Sequence, residues 1–105
     1  MPLTRDSSQT VVDRARRDRA FAKILLEEAV TLFLNGEPDV ARIVLRDLVN
    51  GTLGFERLAT ETEKPAKSLH RMLSPNGNPS MDNLSVILDV LRRHLGPKRT
   101  GRKAA

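Results

Sequence analysis

Apolar residues return every three or four positions through most of this chain, and that period predicts helices rather than strands. Between residues 20 and 35, Phe21, Ile24, Leu25, Leu32 and Phe33 form one wide stripe. Asn35-Gly36 supplies a stop and Glu37-Pro38-Asp39 a restart, because the fixed φ of proline suits a first helical turn. Val40, Ile43, Val44, Leu48 and Val49 carry the period on to Asn50-Gly51. Two short helical patterns follow, over residues 55–62 and 66–73, separated only by Glu63-Lys64-Pro65. A dense turn cluster, Ser74-Pro75-Asn76-Gly77-Asn78-Pro79, leads to Ser80, a favourable N-cap. The helix it opens carries Leu84, Ile87, Leu88, Leu91 and Leu95 and ends at Gly96-Pro97. No alternating run of β-branched residues marks a strand. The expected fold is all-α, with about five helices in a single domain over residues 11–96.

The two ends depart from this pattern. Residues 1–10 are polar and are expected to form a flexible N-terminus. Arg14, Arg16, Arg17 and Arg19, interleaved with Asp13 and Asp18, are expected to lengthen the first helix as a solvated stretch. Residues 97–105 offer no apolar anchor and are expected to be a disordered basic tail. Leu58, Leu69, Leu73, Leu84, Leu88 and Leu91 are the predicted core. The helix over residues 20–35 is apolar on most sides once Leu26, Val30 and Leu34 are counted. A helix of that kind is either buried or at an interface, so it is expected to contribute to a dimer.

Charge sharpens the picture. The 105 residues carry 18 Lys and Arg against 13 Asp and Glu, a net +5. Residues 1–63 are net −2, whereas residues 64–105 hold nine basic side chains against Asp82 and Asp89 alone, net +7. Such a one-sided excess points to an acidic partner, of which nucleic acid is the commonest. Cysteine is absent, which excludes disulfides, thiolate zinc sites and thiol catalysis. With three Phe and no Trp or Tyr, a base-stacking platform for single strands is nearly excluded. The longest apolar stretch, residues 29–34, falls far short of the roughly 20 residues a membrane span needs. The first residues lack the apolar run of a secretory signal, so a cytoplasmic protein is expected.

No catalytic constellation is visible. Neither His70 nor His94 lies near a serine in a nucleophile motif, and no phosphate-binding glycine loop occurs. The two histidines have no carboxylate at ligand spacing, which argues against a metal site. The chain is therefore not expected to be an enzyme or to need a cofactor. His94, in the last turn of its helix, is expected to favour the helix dipole.

The informative segment is residues 52–73. Leu58-Ala59 is followed by Thr62, a tight break, and then Leu69 and Leu73 four apart. Two short helices crossing steeply would bury those leucines, with small Ala59 allowing close approach. The second helix would then turn Ala66, Lys67, His70 and Arg71 outward, where its N-terminal half can enter a major groove. A bare helical adaptor that binds protein rather than DNA is the competing reading.

At these residues the chain resembles the lambda-repressor-like helix-turn-helix proteins. The likeness is closer to the antidote proteins of HigA-like addiction modules, through Ser68-Leu69-His70-Arg71-Met72-Leu73-Ser74-Pro75-Asn76-Gly77-Asn78-Pro79 and through Gly36-Glu37-Pro38-Asp39. It extends over roughly residues 20–96. It implies a sequence-specific, dimeric transcriptional regulator of double-stranded DNA. It further implies an antitoxin that represses its own promoter and binds a toxin with ribonuclease activity. The implied DNA-contacting residues are Lys64, Ala66, Lys67, Ser68, His70, Arg71, Ser74, Asn76 and Asn78. By its own residues Asn76-Gly77-Asn78 is expected first to make a tight turn, with phosphate contact through its backbone N–H groups as a secondary role. Glu63, Lys64 and Phe55 depart from the family pattern, Lys64 standing where an apolar residue is usual. Glu63 stands where a positive-φ glycine is usual, at a cost of about 1 kcal/mol. Phe55 stands where many relatives have a phosphate-binding glutamine.

Overall fold

The computed structural model describes residues 5–96, which form six helices and no strand. These are α1 (Arg5–Arg17), α2 (Arg19–Leu34), α3 (Pro38–Gly51), α4 (Gly54–Thr62), α5 (Ala66–Met72) and α6 (Met81–Leu95). The all-α expectation holds with one more helix than expected. The basic tail expected over residues 97–105 lies outside the described residues.

The additional helix corrects the reading of the N-terminus. Residues 5–10, expected to be loose, open α1, and the arginine-rich stretch does not simply extend the next helix. Asp18 breaks the two apart. Its backbone is extended (φ −137°) and its Oδ1 accepts from the Phe21 N–H at 3.1 Å, which caps α2. Arg14 fastens the elbow, with Nε 3.7 Å from Asp18 Oδ2 and its guanidinium 4.3 Å from the Phe21 ring centroid. Val12 and Ala15 are the buried residues of α1. They press on the end of α3 so closely that a Cβ at Gly51 would sit 2.8 Å from the Ala15 Cβ and from the Val12 carbonyl. Only glycine fits there.

Asn35-Gly36-Glu37 folds α3 back along α2, with Pro38 in the first turn. The two helices meet through Ala22, Ala29, Ala41, Leu45 and Leu48, all fully buried. Alanine at three of these places permits close helix approach. Helix α2 also packs on α1 and α6, and α4 joins α3, α5 and α6. Leu58, Leu69, Leu73 and Leu91 are buried as expected. Leu84 and Leu88 are instead half-buried at the margin, and Ile87, Val90 and Leu95 fill the centre. The stripe on α6 is rotated because this helix packs against both α2 and α4. Asp47 is the one carboxylate in this interior, 5% exposed. Burial raises its pKa, partly offset by a hydrogen bond with Ser8 and by the charge of Arg46.

Candidate nucleic-acid interface

The candidate site is built on α4, α5 and the three residues between them. Helix α4 closes with the buried Thr62, whose Oγ1 donates to the Leu58 carbonyl at 2.8 Å. Glu63 then takes a left-handed conformation, φ 58° and ψ 39°, alone among the non-glycine residues described. The Ala59 carbonyl accepts from the Glu63 N–H and, at 3.2 Å, from the Lys64 N–H. This is the left-handed helix ending that glycine normally makes. The expected turn geometry is kept, and Glu63 bears its strain.

Extended Pro65 starts α5, and the Leu69 N–H donates to its carbonyl at 3.2 Å. Leu69 and Leu73 are fully buried, and Met72 packs half-buried beside them. Lys67, His70 and Arg71 are therefore exposed, with Lys64, Ala66 and Ser68 half-buried at the margins. His70 is more constrained than an outward slot suggests. Its ring stacks on the buried Phe55 ring, with centroids 3.9 Å apart and planes 20° apart. One imidazole face is thus covered, and Phe55 positions His70 instead of meeting phosphate as a glutamine would.

The loop after α5 is locked. The Ser74 hydroxyl donates to the Arg71 carbonyl at 2.8 Å, so its donor is already engaged. The Gly77 N–H donates to the Ser74 carbonyl at 2.9 Å. The tight turn expected over residues 76–78 thus engages the Gly77 N–H internally. Gly77 lies so close to the last carbonyls of α5 that a Cβ would collide with those of Met72 and Arg71. Arg42 of α3 holds the loop from the other side, with Nε to the Ser74 carbonyl at 3.1 Å and Nη2 to the Pro75 carbonyl at 2.9 Å. Ser68, Arg71, Asn76, Asn78, Ser80 and Asn83 line one polar groove between α5 and the start of α6. Ser80 caps α6 there by accepting from the Asn83 N–H at 3.1 Å.

Neither Arg42 nor Asn83 was anticipated as part of this site. Arg42 is 32 residues from Ser74 and belongs to another helix, so no local spacing announces it. Asn83 carried a readable signal, since it stands three residues after an N-cap serine.

Charge pairing separates the basic side chains into two kinds. Arg14 pairs with Asp18, Arg16 with Asp13, Arg57 with Glu61, and Arg92 and Arg93 with Asp89. Arg93 and then Arg92 hold the Asp89 carboxyl below its ordinary range. Lys64, Lys67 and Arg71 have no acidic partner among the described residues, and neither do Arg17, Arg19, Lys23 and Arg42 on the first three helices; what sets the first three apart is their place on and beside α5. His94 does more than sit at a helix end. Its Nε2 lies 3.3 Å from Glu61 Oε2, tying α6 to α4. That contact, and then Arg57, lower the Glu61 pKa. Arg19 meanwhile donates to the His94 carbonyl at 2.8 Å. No group of three or more His, Asp or Glu that could hold a metal occurs among the described residues. None of their helices is long and apolar enough to cross a membrane.

No protein-family model matches this chain, and neither does any curated protein or solved structure.

Proposed function

We propose that this chain is a sequence-specific regulator of double-stranded DNA, acting in the cytoplasm as a homodimer with α5 as its recognition helix. The observation that carries the reading is the cation set Lys64, Lys67 and Arg71. These side chains have no acidic partner, and the last two are exposed on a short helix whose other side is fully buried. In this reading Arg71 pairs bidentately with a guanine edge, while Lys67 and Lys64 hold backbone phosphates as point charges. His70, fixed by Phe55, presents a ring edge beside Arg71. Asn76, Asn78 and Ser68 add hydrogen-bonding groups along the adjoining groove. A single helix of this length reads too few base pairs for useful specificity, so two copies act on a two-fold site.

The resemblance to antidote proteins of HigA-like addiction modules refines the proposal to an autorepressing antitoxin that binds a ribonuclease-type toxin. The reading has a test in a gel shift of the full chain on random genomic fragments. A selected subset with a shared two-fold motif supports it. Salt-labile binding without preference, or no binding, favours the protein-interaction adaptor. A small basic reading frame beside this one, encoding a protein that co-purifies with the chain, distinguishes antitoxin from plain repressor.

A further inference from the structure

On the side of the molecule where α2 meets the end of α6, an apolar groove lies open. Leu26, Val30 and Leu95 supply its apolar surface, and Lys23, Glu27 and Arg92 its charges. The stripe continues along α2 to Leu34, four residues beyond Val30 and 81% exposed, and Ile24 flanks it at 58% exposed. Three large apolar side chains on one exposed helix are unusual for a chain of this size and charge.

We infer that this groove is the homodimer interface, occupied by the same groove of a second copy. This rests on the DNA reading above for its purpose, and on two further observations for its occupant. The first is charge. A two-fold interface must be complementary to itself. Lys23, which meets no carboxylate, stands beside Glu27, so rotation can set the cation of one copy against the carboxylate of the other. A strongly acidic or basic partner would meet repulsion from one sign or the other.

The second observation is distance. Helix α6 touches both grooves: Asn83 lines the polar one beside α5, and Leu95 the apolar one. At 1.5 Å per residue these positions are about 18 Å apart along the helix. A dyad passing at Leu95 sets the two Asn83 positions at most roughly twice that length apart, a span that can reach the about 34–36 Å between successive major-groove half-sites. The segment that follows Gly96 is a poor occupant. Residues 97–105 contain no Val, Leu, Ile, Met or Phe with which to fill the groove.

Sedimentation of the full-length chain, with Val30→Asp and Glu27→Lys as variants, tests the assignment. Val30 is 38% exposed and Glu27 is exposed, so both variants keep the fold, and a melting curve verifies this. The wild-type chain is expected to dimerise. Val30→Asp should weaken self-association at least tenfold by burying a charge, and Glu27→Lys should weaken it severalfold by making the charged rim wholly basic. A wild-type chain that stays monomeric up to about 1 mM, or a folded Val30→Asp that dimerises as before, overturns the inference. The DNA reading fails separately. If wild type dimerises and Val30→Asp does not, yet neither selects a DNA sequence, the interface stands and the proposed function falls.

Discussion

Two stretches of this chain are basic in sequence, and they differ in how their charges are used. At the end of α6, Arg92 and Arg93 both reach Asp89 at 3.0 Å, and His94 reaches Glu61. On α5, Lys67 and Arg71 meet no carboxylate. Asp89 is shared by both arginines one turn away, as i,i+3 and i,i+4 spacing allows, and Glu61 reaches His94 from α4, so the first set is offset in part by carboxylates. The second is left without a carboxylate. A count of charge along the chain merges the two, and only the pairing tells them apart.

The supports of the two stretches differ as well. Helix α5 is only seven residues long and would not be stable alone in water. Its position comes from Leu69 and Leu73 beneath it, from Arg42 gripping the loop behind it, and from Gly77 lying against its last carbonyls. The largest expected effect therefore falls on this anchoring. Leu69→Ala should cost about 2–5 kcal/mol through lost transfer energy and a residual cavity. Thermal unfolding measures it, and an unchanged midpoint would mean that α5 is not held from below.

The next effect separates the two basic stretches directly. Arg71→Ala should lower the preference for the selected site over random DNA by roughly five- to a hundredfold, corresponding to about 1–3 kcal/mol for one bidentate base contact. Lys67→Ala should weaken both kinds of DNA alike and reduce the salt slope by about 1. Arg93→Ala should leave the preference unaltered. If Arg71→Ala and Arg93→Ala behaved alike in one titration, the distinction drawn from Asp89 would have no functional content.

Much of this arrangement is legible in the sequence, and all the misses but one share a cause. The two short helices, the tight break and the N-cap at Ser80 each rest on residues close together in the chain. Asp18 is equally local, but the arginines around it read as a solvated continuation, which hides its role as a cap between two helices. Leu84 and Leu88 complete a leucine stripe and so read as core. Val90 displaced them because α6 has neighbours on two sides. Arg42 and the Phe55–His70 stack join residues 32 and 15 positions apart. Such contacts depend on how helices cross, which periodicity does not encode.

A smaller effect concerns the turn that aims α5. Glu63 holds φ 58° without the freedom glycine has. Glu63→Gly should thus stabilise the fold by about 1 kcal/mol, the left-handed strain relieved less the entropy glycine adds to the unfolded chain. Chemical denaturation reads this as a higher midpoint at unchanged slope. A loss of stability would show that the Glu63 side chain contributes something that outweighs its backbone strain. Site preference should be retained, since the turn keeps its shape.

The smallest effect tests the silence of α6. If Asp89 is what neutralises Arg92 and Arg93, Asp89→Asn should raise affinity for random DNA severalfold at low salt, with a steeper salt dependence and little change in preference. The pH dependence has a definite sign. Arg93 and Arg92 lower the folded-state pKa of Asp89 below its ordinary 3.8. Its contribution to stability is therefore fully present above that value and is lost as pH falls through the lowered one. At neutral pH the pairs are intact, so the wild-type chain keeps the end of α6 quiet throughout the range in which DNA binding is measured. Equal affinities of wild type and Asp89→Asn for random DNA would mean that Arg92 and Arg93 are kept from the duplex by their location and not by their partner.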